Sequence, residues 1–263
     1  MLIKNKVAVI FAAGGAVGGQ VAQEFAREGA TVFLSGRRLE SVKKIAEKIG
    51  STDARVFVEK IDALNQDEVN AYLERVVKLT GKIDVVCNAI GPASAGDLVM
   101  PSTEIPADKF LSYINTSVLS QFITARSAAR HMLACRSGVV VFITATPAKG
   151  VAPLLAGHSA GHAAIEGLTR SLATEWGPSG IRVVAVRSAG MPESPRIQEV
   201  FQAFAHAMGA TKEMFAQGTL ERTLLKRMPT LSDTAKTICF LASDYANSLT
   251  GAIINASCGE VMD

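Results

Sequence analysis

Residues 7–20 read Val-Ala-Val-Ile-Phe-Ala-Ala-Gly-Gly-Ala-Val-Gly-Gly-Gln: an apolar run, then a glycine loop, then a segment of helical period. Every side chain from Val7 to Phe11 is apolar, which is the pattern of a strand covered on both faces rather than on one. Val17, Val21 and Phe25, with Ala22 and Ala26 beside them, recur at the spacing of a helix face. Strand, glycine turn and helix in that order open a βαβ unit. Glycines there let the backbone turn tightly and approach a pyrophosphate, whose charge the helix N-terminus stabilises. A glycine loop alone says little; a second strand about twenty residues on gives it the right setting.

Outward from that unit, apolar β-branched runs at 7–11, 31–34, 55–58, 83–87, 139–143, 181–186 and 252–254 alternate with segments of helical period. Alternation of this kind predicts an α/β fold, one doubly wound parallel sheet of about seven strands with helices on both faces. It extends over residues 1–263 as a single domain, without linker or repeat. The one long interruption is 188–231, which holds Pro192, Pro195, Phe201, Phe204, Met208, Met214, Phe215 and Pro229. Placed after the sixth strand, it falls at the edge of the sheet where such folds bind ligands, and reads as a substrate lid. A surface helical hairpin with its own Met/Phe packing is the alternative.

Composition narrows the class. In 263 residues, 48% hydrophobic and 19% charged with Gly 22 and Pro 9 exclude disordered, collagen-like and disulfide-scaffold proteins. Twenty-seven basic against 24 acidic residues leave +3, which argues against nucleic acid or an anionic membrane as the main partner. Cys87, Cys135, Cys239 and Cys258 form no CxxC pair and no metal-ligand spacing, and are expected to be buried thiols in a reducing compartment. Lys4 and Lys6 before an apolar run resemble a short signal peptide. Yet the run is too short to span a bilayer and is broken by glycines, so a cytoplasmic protein is expected.

The glycine loop and five further segments together resemble the short-chain dehydrogenase/reductase family, over essentially the whole chain. Of the family's T-G-x-x-x-G-x-G loop, Gly14 and Gly18 match, Ala13 stands for the Thr and Gln20 replaces the last glycine. Asp62-Ala63 is similar to the family's adenine-contacting pair, and Cys87-Asn88-Ala89-Ile90-Gly91 to its N-N-A-G, with Asn88 on the second Asn. Asn115 matches the Asn that bends the fourth helix and holds a proton-relay water. "ATEWGPSGIRVVAV" and "DTAKTICFLASDYANSLTGAIIN" match later segments. The resemblance implies a Rossmann-like sheet, a nicotinamide cofactor and a small-molecule substrate. It also implies a homotetramer or homodimer joined through the fourth and fifth helices, "FLSYINTSVLSQFITARSAARHML" and "HAAIEGLTRSLATEW", which carry more apolar and small residues than one buried face needs.

At the end of the second strand an acidic side chain would hydrogen-bond the ribose diol of NAD. Here Gly36 occupies that place and Arg37 and Arg38 follow, two guanidiniums suited to a 2′-phosphate. NADP(H) is therefore expected over NAD(H). Solvated charges opening the next helix are the alternative. That alternative is weakened because cations oppose the dipole of a helix N-terminus.

The family's reacting residues are absent. Its Tyr, Lys and Ser positions fall on His158, His162 and Ala145. Thr144 and Thr146 flank Ala145, but in a strand they point to the opposite face. Two histidines at i and i+4 share one helix face. His158 is expected to titrate near neutrality and exchange a proton with substrate, and His162 to hydrogen-bond the cofactor ribose. No Glu follows His158 and no third ligand is evident, so no metal is expected. His131 and His206 read as ordinary helix residues. The expectation is an NADP(H)-dependent oxidoreductase of small carbonyls or alcohols with His158 in the acid/base role. A cofactor-binding protein without turnover is the alternative.

Overall fold

The computed structural model describes residues 1–50, 55–91, 99–150 and 152–263. Seven strands are formed, β1 (Val7–Phe11), β2 (Thr31–Gly36), β3 (Val56–Lys60), β4 (Val85–Asn88), β5 (Gly138–Ala145), β6 (Ile181–Ser188) and β7 (Ile253–Ala256). They make one parallel sheet in the order β3-β2-β1-β4-β5-β6-β7. Each run read as a strand is one, within two residues at either end.

Alternation along the strands explains why the runs are apolar throughout. Val7, Val9 and Phe11 face one core, with Val69 and Leu73 of α3 (Gln66–Thr80), Ile123 and Met132 of α5 (Leu119–Cys135), and Ile165 and Trp176 of α6 (Ala156–Trp176). Ala8 and Ile10 face the other, with Val21 and Phe25 of α1 (Ala16–Arg27), Val42 of α2 (Leu39–Ile49), and Ile238 and Leu241 of α9 (Leu231–Ala242). With both faces covered, a polar side chain in a central strand must find a partner inside, as Asn88 does with Thr124 and Arg187 with Glu166. The order reverses between β1 and β4. That is the switch point at whose C-terminal ends open α/β sheets hold ligands.

The segment read as a fourth helix is bent. Helix α4 (Ala107–Tyr113) runs into a π-helical turn, Ile114–Val118, and from there into α5. Residues 188–231 form α7 (Pro195–Ala207) and α8 (Lys212–Arg222), with Pro195 at the first helical position, where its missing N–H costs nothing. Phe215 of α8 stacks on Phe204 of α7 with ring centres 4.7 Å apart and meets Phe201 edge-on at 5.4 Å. Cys87 and Cys239 are buried, but Cys135 ends α5 on the exposed side and Cys258 is half-buried, so the expectation of four buried thiols is corrected. Among the described residues no helix is long and apolar enough to cross a membrane.

Candidate active site

Strand β1 ends at Phe11, Ala12 turns the chain at φ +57°, and α1 begins at Ala16 with Gly15 as its N-cap. The tight turn is therefore at Ala12, and Gly14 does different work. A Cβ on Gly14 would lie 2.8 Å from Ser41 Cβ in α2, and one on Gly18 would lie 2.4 Å from the Ala12 carbonyl oxygen. These two glycines let α2 and α1 close onto the loop. Gly15 caps α1 without a side-chain hydrogen bond, which leaves the first-turn N–H groups available to an anion.

Around the loop, Gly36 ends β2, and Arg37 and Arg38 are exposed, neither forming an ion pair among the described residues. Ala63 is buried and Asp62 half-buried beyond β3, where Asp62 Oδ1 accepts from the Leu64 N–H at 3.0 Å. Asn88 is buried at the end of β4. Its Nδ2 donates to Thr124 Oγ1 at 3.1 Å and its Oδ1 accepts from the Ile90 N–H at 2.8 Å, so its amide holds the 89–91 turn in shape. A helix N-terminus without a side-chain cap, glycines whose Cβ would collide, and two exposed guanidiniums without an ion pair among the described residues fit a dinucleotide phosphate at this edge.

A cavity of about 220 Å³ opens from the loop to α7 and α8. Val17 of α1, Ala89 to Gly91 after β4, Ala145 at the end of β5 and Ser188 at the end of β6 form its floor. Phe201, Phe204 and Phe215 cover it. A shallower depression on the outer side of α7, beside Gln198 and His206, shares no residue with it.

Helix α6 brings His158 and His162 together in that cavity, ring centres 4.4 Å apart and edge to face. Tyr113, at the end of α4, completes the cluster. Its ring meets His158 at 4.5 Å, and its Oη shares a hydrogen bond of 2.7 Å with His162 Nε2. The Nδ1 atoms of both histidines are buried without a partner among the described residues. Burial pushes His158 down from 6.5 to about 4, and burial followed by the nearby His158 holds His162 well below the ordinary histidine range. The expectation that His158 titrates near neutrality is thus corrected, because desolvation without a carboxylate partner disfavours the imidazolium. Both rings are neutral at pH 7. Burial also raises the Tyr113 phenol above its usual value.

Asn115 does not join this cluster: it is exposed, on the outer side of the π-helical turn. In that wide turn the residues facing inward are Tyr113 and Ser117, both buried, with Ser117 Oγ unpartnered among the described residues. At the Ser position, Ala145 lines the cavity, and so do both neighbours. Thr144 Oγ1 donates to the His162 carbonyl at 3.3 Å, and Thr146 opens a 3-10 turn that lets its Oγ1 donate to Glu260 at 2.7 Å. One helical turn past His162, Glu166 receives Arg187 of β6 in a buried bidentate pair at 2.7 and 2.9 Å, and Arg187 also meets Asp263. Sequence reading missed Tyr113, Ser117 and this ion pair. The available signal was Gly157 and Gly161 inside a helix, since a glycine in a helix interior is usually there for packing.

The family described as enoyl-(acyl carrier protein) reductase matches residues 12–260. A peroxisomal 2,4-dienoyl-CoA reductase of Rattus norvegicus is 26% identical over 262 residues, covering 99% of this chain and 85% of that protein. The short-chain dehydrogenase/reductase SDRA of Arabidopsis thaliana is 31% identical over 250 residues, covering 95% and 92%. Among solved structures, NAD+-bound xylitol dehydrogenase superposes with a TM-score of 0.92 at 22% identity, covering 98% of this chain and 100% of that one. An actinorhodin polyketide ketoreductase with NADPH superposes at 0.88 and 23%, covering 97% and 96%. The sheet and its helices are those of this fold.

Proposed function

The chain belongs to the short-chain dehydrogenase/reductase family, and from that premise we propose that it is an NADP(H)-dependent oxidoreductase of a small, largely apolar carbonyl or alcohol. The observation that carries the reading is continuity. One cavity runs from Val17 on the first turn of α1, past the ends of β4, β5 and β6, to the aromatic cover of α7 and α8. Cofactor loop and substrate space thus open into each other, and residues 188–231 act as a lid on them.

Gly14, Gly18 and the N-terminus of α1 would hold the pyrophosphate, Arg37 with Arg38 the 2′-phosphate, Asp62 and Ala63 the adenine edge, and His162 the nicotinamide ribose. When bound, the cofactor supplies or accepts a hydride. The protein's own part is to orient the substrate oxygen and manage its proton in a dry site. His158, neutral, offers a hydrogen bond to that oxygen rather than an imidazolium proton, and a neutral imidazole can polarise a carbonyl in that way. Asn88 shapes the 89–91 wall through its amide, and Asn115 serves the bend of the α4–α5 helix. The chain assembles as a homodimer or homotetramer through α4–α5 and α6, and works in the cytoplasm.

Alanine and two neutral imidazoles at the Ser, Tyr and Lys positions support a second reading, a protein that binds the dinucleotide and does not turn over. Calorimetric titration with NADPH and NADH, followed by a carbonyl and alcohol panel, tests both. Tighter NADPH binding is expected, by roughly 1.5–3 kcal/mol for one guanidinium on a 2′-phosphate, and Arg37→Asp should reverse it. NADH binding at least as tight removes the NADP assignment. Binding without turnover leaves the second reading, and no binding removes both.

A further inference from the structure

We propose that Tyr113 is a catalytic residue of this site, its phenol giving a proton to the substrate oxygen in reduction and taking it back in oxidation. The inference rests on the reading of the chain as a nicotinamide-dependent oxidoreductase. It starts from a fit between two elements far apart in sequence. Tyr113 is 6% exposed and lines the cavity together with both imidazoles. Its ring lies where α6 carries no side chain: a Cβ on Gly161 would sit 2.3 and 2.4 Å from Cδ1 and Cε1 of that ring. One turn earlier, Gly157 brings the backbone against Phe110, with 3.3 Å from its absent Cβ to the Phe110 carbonyl oxygen. Helix α6 is thus cleared on one face for α4 to deliver a phenol.

The phenol is placed to do chemistry as well as to pack. A neutral imidazole is a poor proton donor, whereas a phenol beside an N–H donor can release its proton and be restored. The Oη–Nε2 distance of 2.7 Å to His162 supplies that neighbour. The balance is simple. Reduction adds a hydride to carbon, from the cofactor, and a proton to oxygen. The Oη–H bond of Tyr113 breaks as the new O–H bond on the substrate forms. The Nε2–H of His162 donates a hydrogen bond to the phenolate as it forms, and when product leaves the phenolate takes its proton back from water entering the cavity, so one proton of water is consumed and His162 stays neutral. Oxidation runs the same path backwards. With imidazole at position 158, the phenol thus comes from the facing wall.

Tyr113→Phe keeps the ring and its fit to Gly161 and removes only the hydroxyl. Three measurements are made on native protein and variant: NADPH affinity by calorimetry, turnover on a carbonyl panel, and the imidazole nitrogen resonances of the protein alone by NMR. NADPH affinity should stay within about twofold, kcat should fall by roughly 10²–10⁴-fold, and the His162 Nε2 resonance should move. Gly161→Ala, whose methyl displaces the ring, should lower kcat as well, and adding it to Tyr113→Phe should lower it no further. Turnover of Tyr113→Phe within about threefold of native overturns the assignment, as does a loss seen only with His158→Ala. A native protein that binds NADPH and reduces no member of the panel overturns it too. Failure to bind either dinucleotide overturns the proposed function and this assignment with it.

Discussion

Acidification should cost this protein stability through His162, buried, and His158, half-buried with its Nδ1 enclosed, and His158 allows the size to be worked out. In the folded chain its pKa lies at about 4, against 6.5 when free, because burial disfavours the imidazolium. The native state then binds fewer protons than the unfolded state between these values, so stability rises with pH across the window and falls on acidification. The stabilisation of the neutral form is complete above pH 6.5 and lost as pH falls toward 4. Integrated from pH 7, the loss from His158 alone is about 2 kcal/mol at pH 5 and about 3 kcal/mol at pH 4. His162 is shifted in the same direction by burial and by its neighbour, and adds to the slope. Urea unfolding at one fixed protein concentration, at pH 7, 6 and 5, measures it. With a slope near 3 kcal/mol/M, the His158 part moves the midpoint by roughly 0.7 M between pH 7 and pH 5. His158→Gln should remove that part, and His158→Gln with His162→Gln should flatten the profile over this window. Equal slopes in native protein and double variant would refute the argument.

Gly18→Ala should weaken both fold and cofactor site, since the new methyl meets the Ala12 carbonyl oxygen at 2.4 Å. A loss of about 1–3 kcal/mol in thermal or urea unfolding is expected for such overpacking, together with weaker NADPH binding. Glu166→Ala leaves the Arg187 guanidinium, 3% exposed, with Asp263 as its one remaining carboxylate among the described residues, and should destabilise by about 1.5–3 kcal/mol, while Glu166→Leu with Arg187→Met should recover most of it. A double variant no more stable than Glu166→Ala alone would show that the pair does not act as a unit. Light scattering at micromolar concentration should return a mass well above the 27.7 kDa of one chain, and a monomer would count against assembly through α4–α5 and α6.

The alternation of strands and helices along the chain and the parallel sheet were legible in the sequence. Their cause is local: a strand buried on both faces is apolar along most of its length, and a helix on a sheet must repeat near 3.6. Gly36, Arg37 and the α6 histidines were legible for the same reason, each sitting at a known distance from the end of an element. Register within the loop was not. The turn out of β1 falls on Ala12, at positive φ, because what decides it is where β1 stops pairing. The protonation of His158 was not legible either, since a pKa is set by what surrounds a group rather than by its neighbours in the chain. Nor was the outward facing of Asn115, which depends on a π-helical turn that leaves no period of its own. The contact between Tyr113 and His162 joins residues 49 apart. It exists because Gly161 leaves room on one helix for a ring from another, and complementarity between distant surfaces appears only when tertiary packing brings them together.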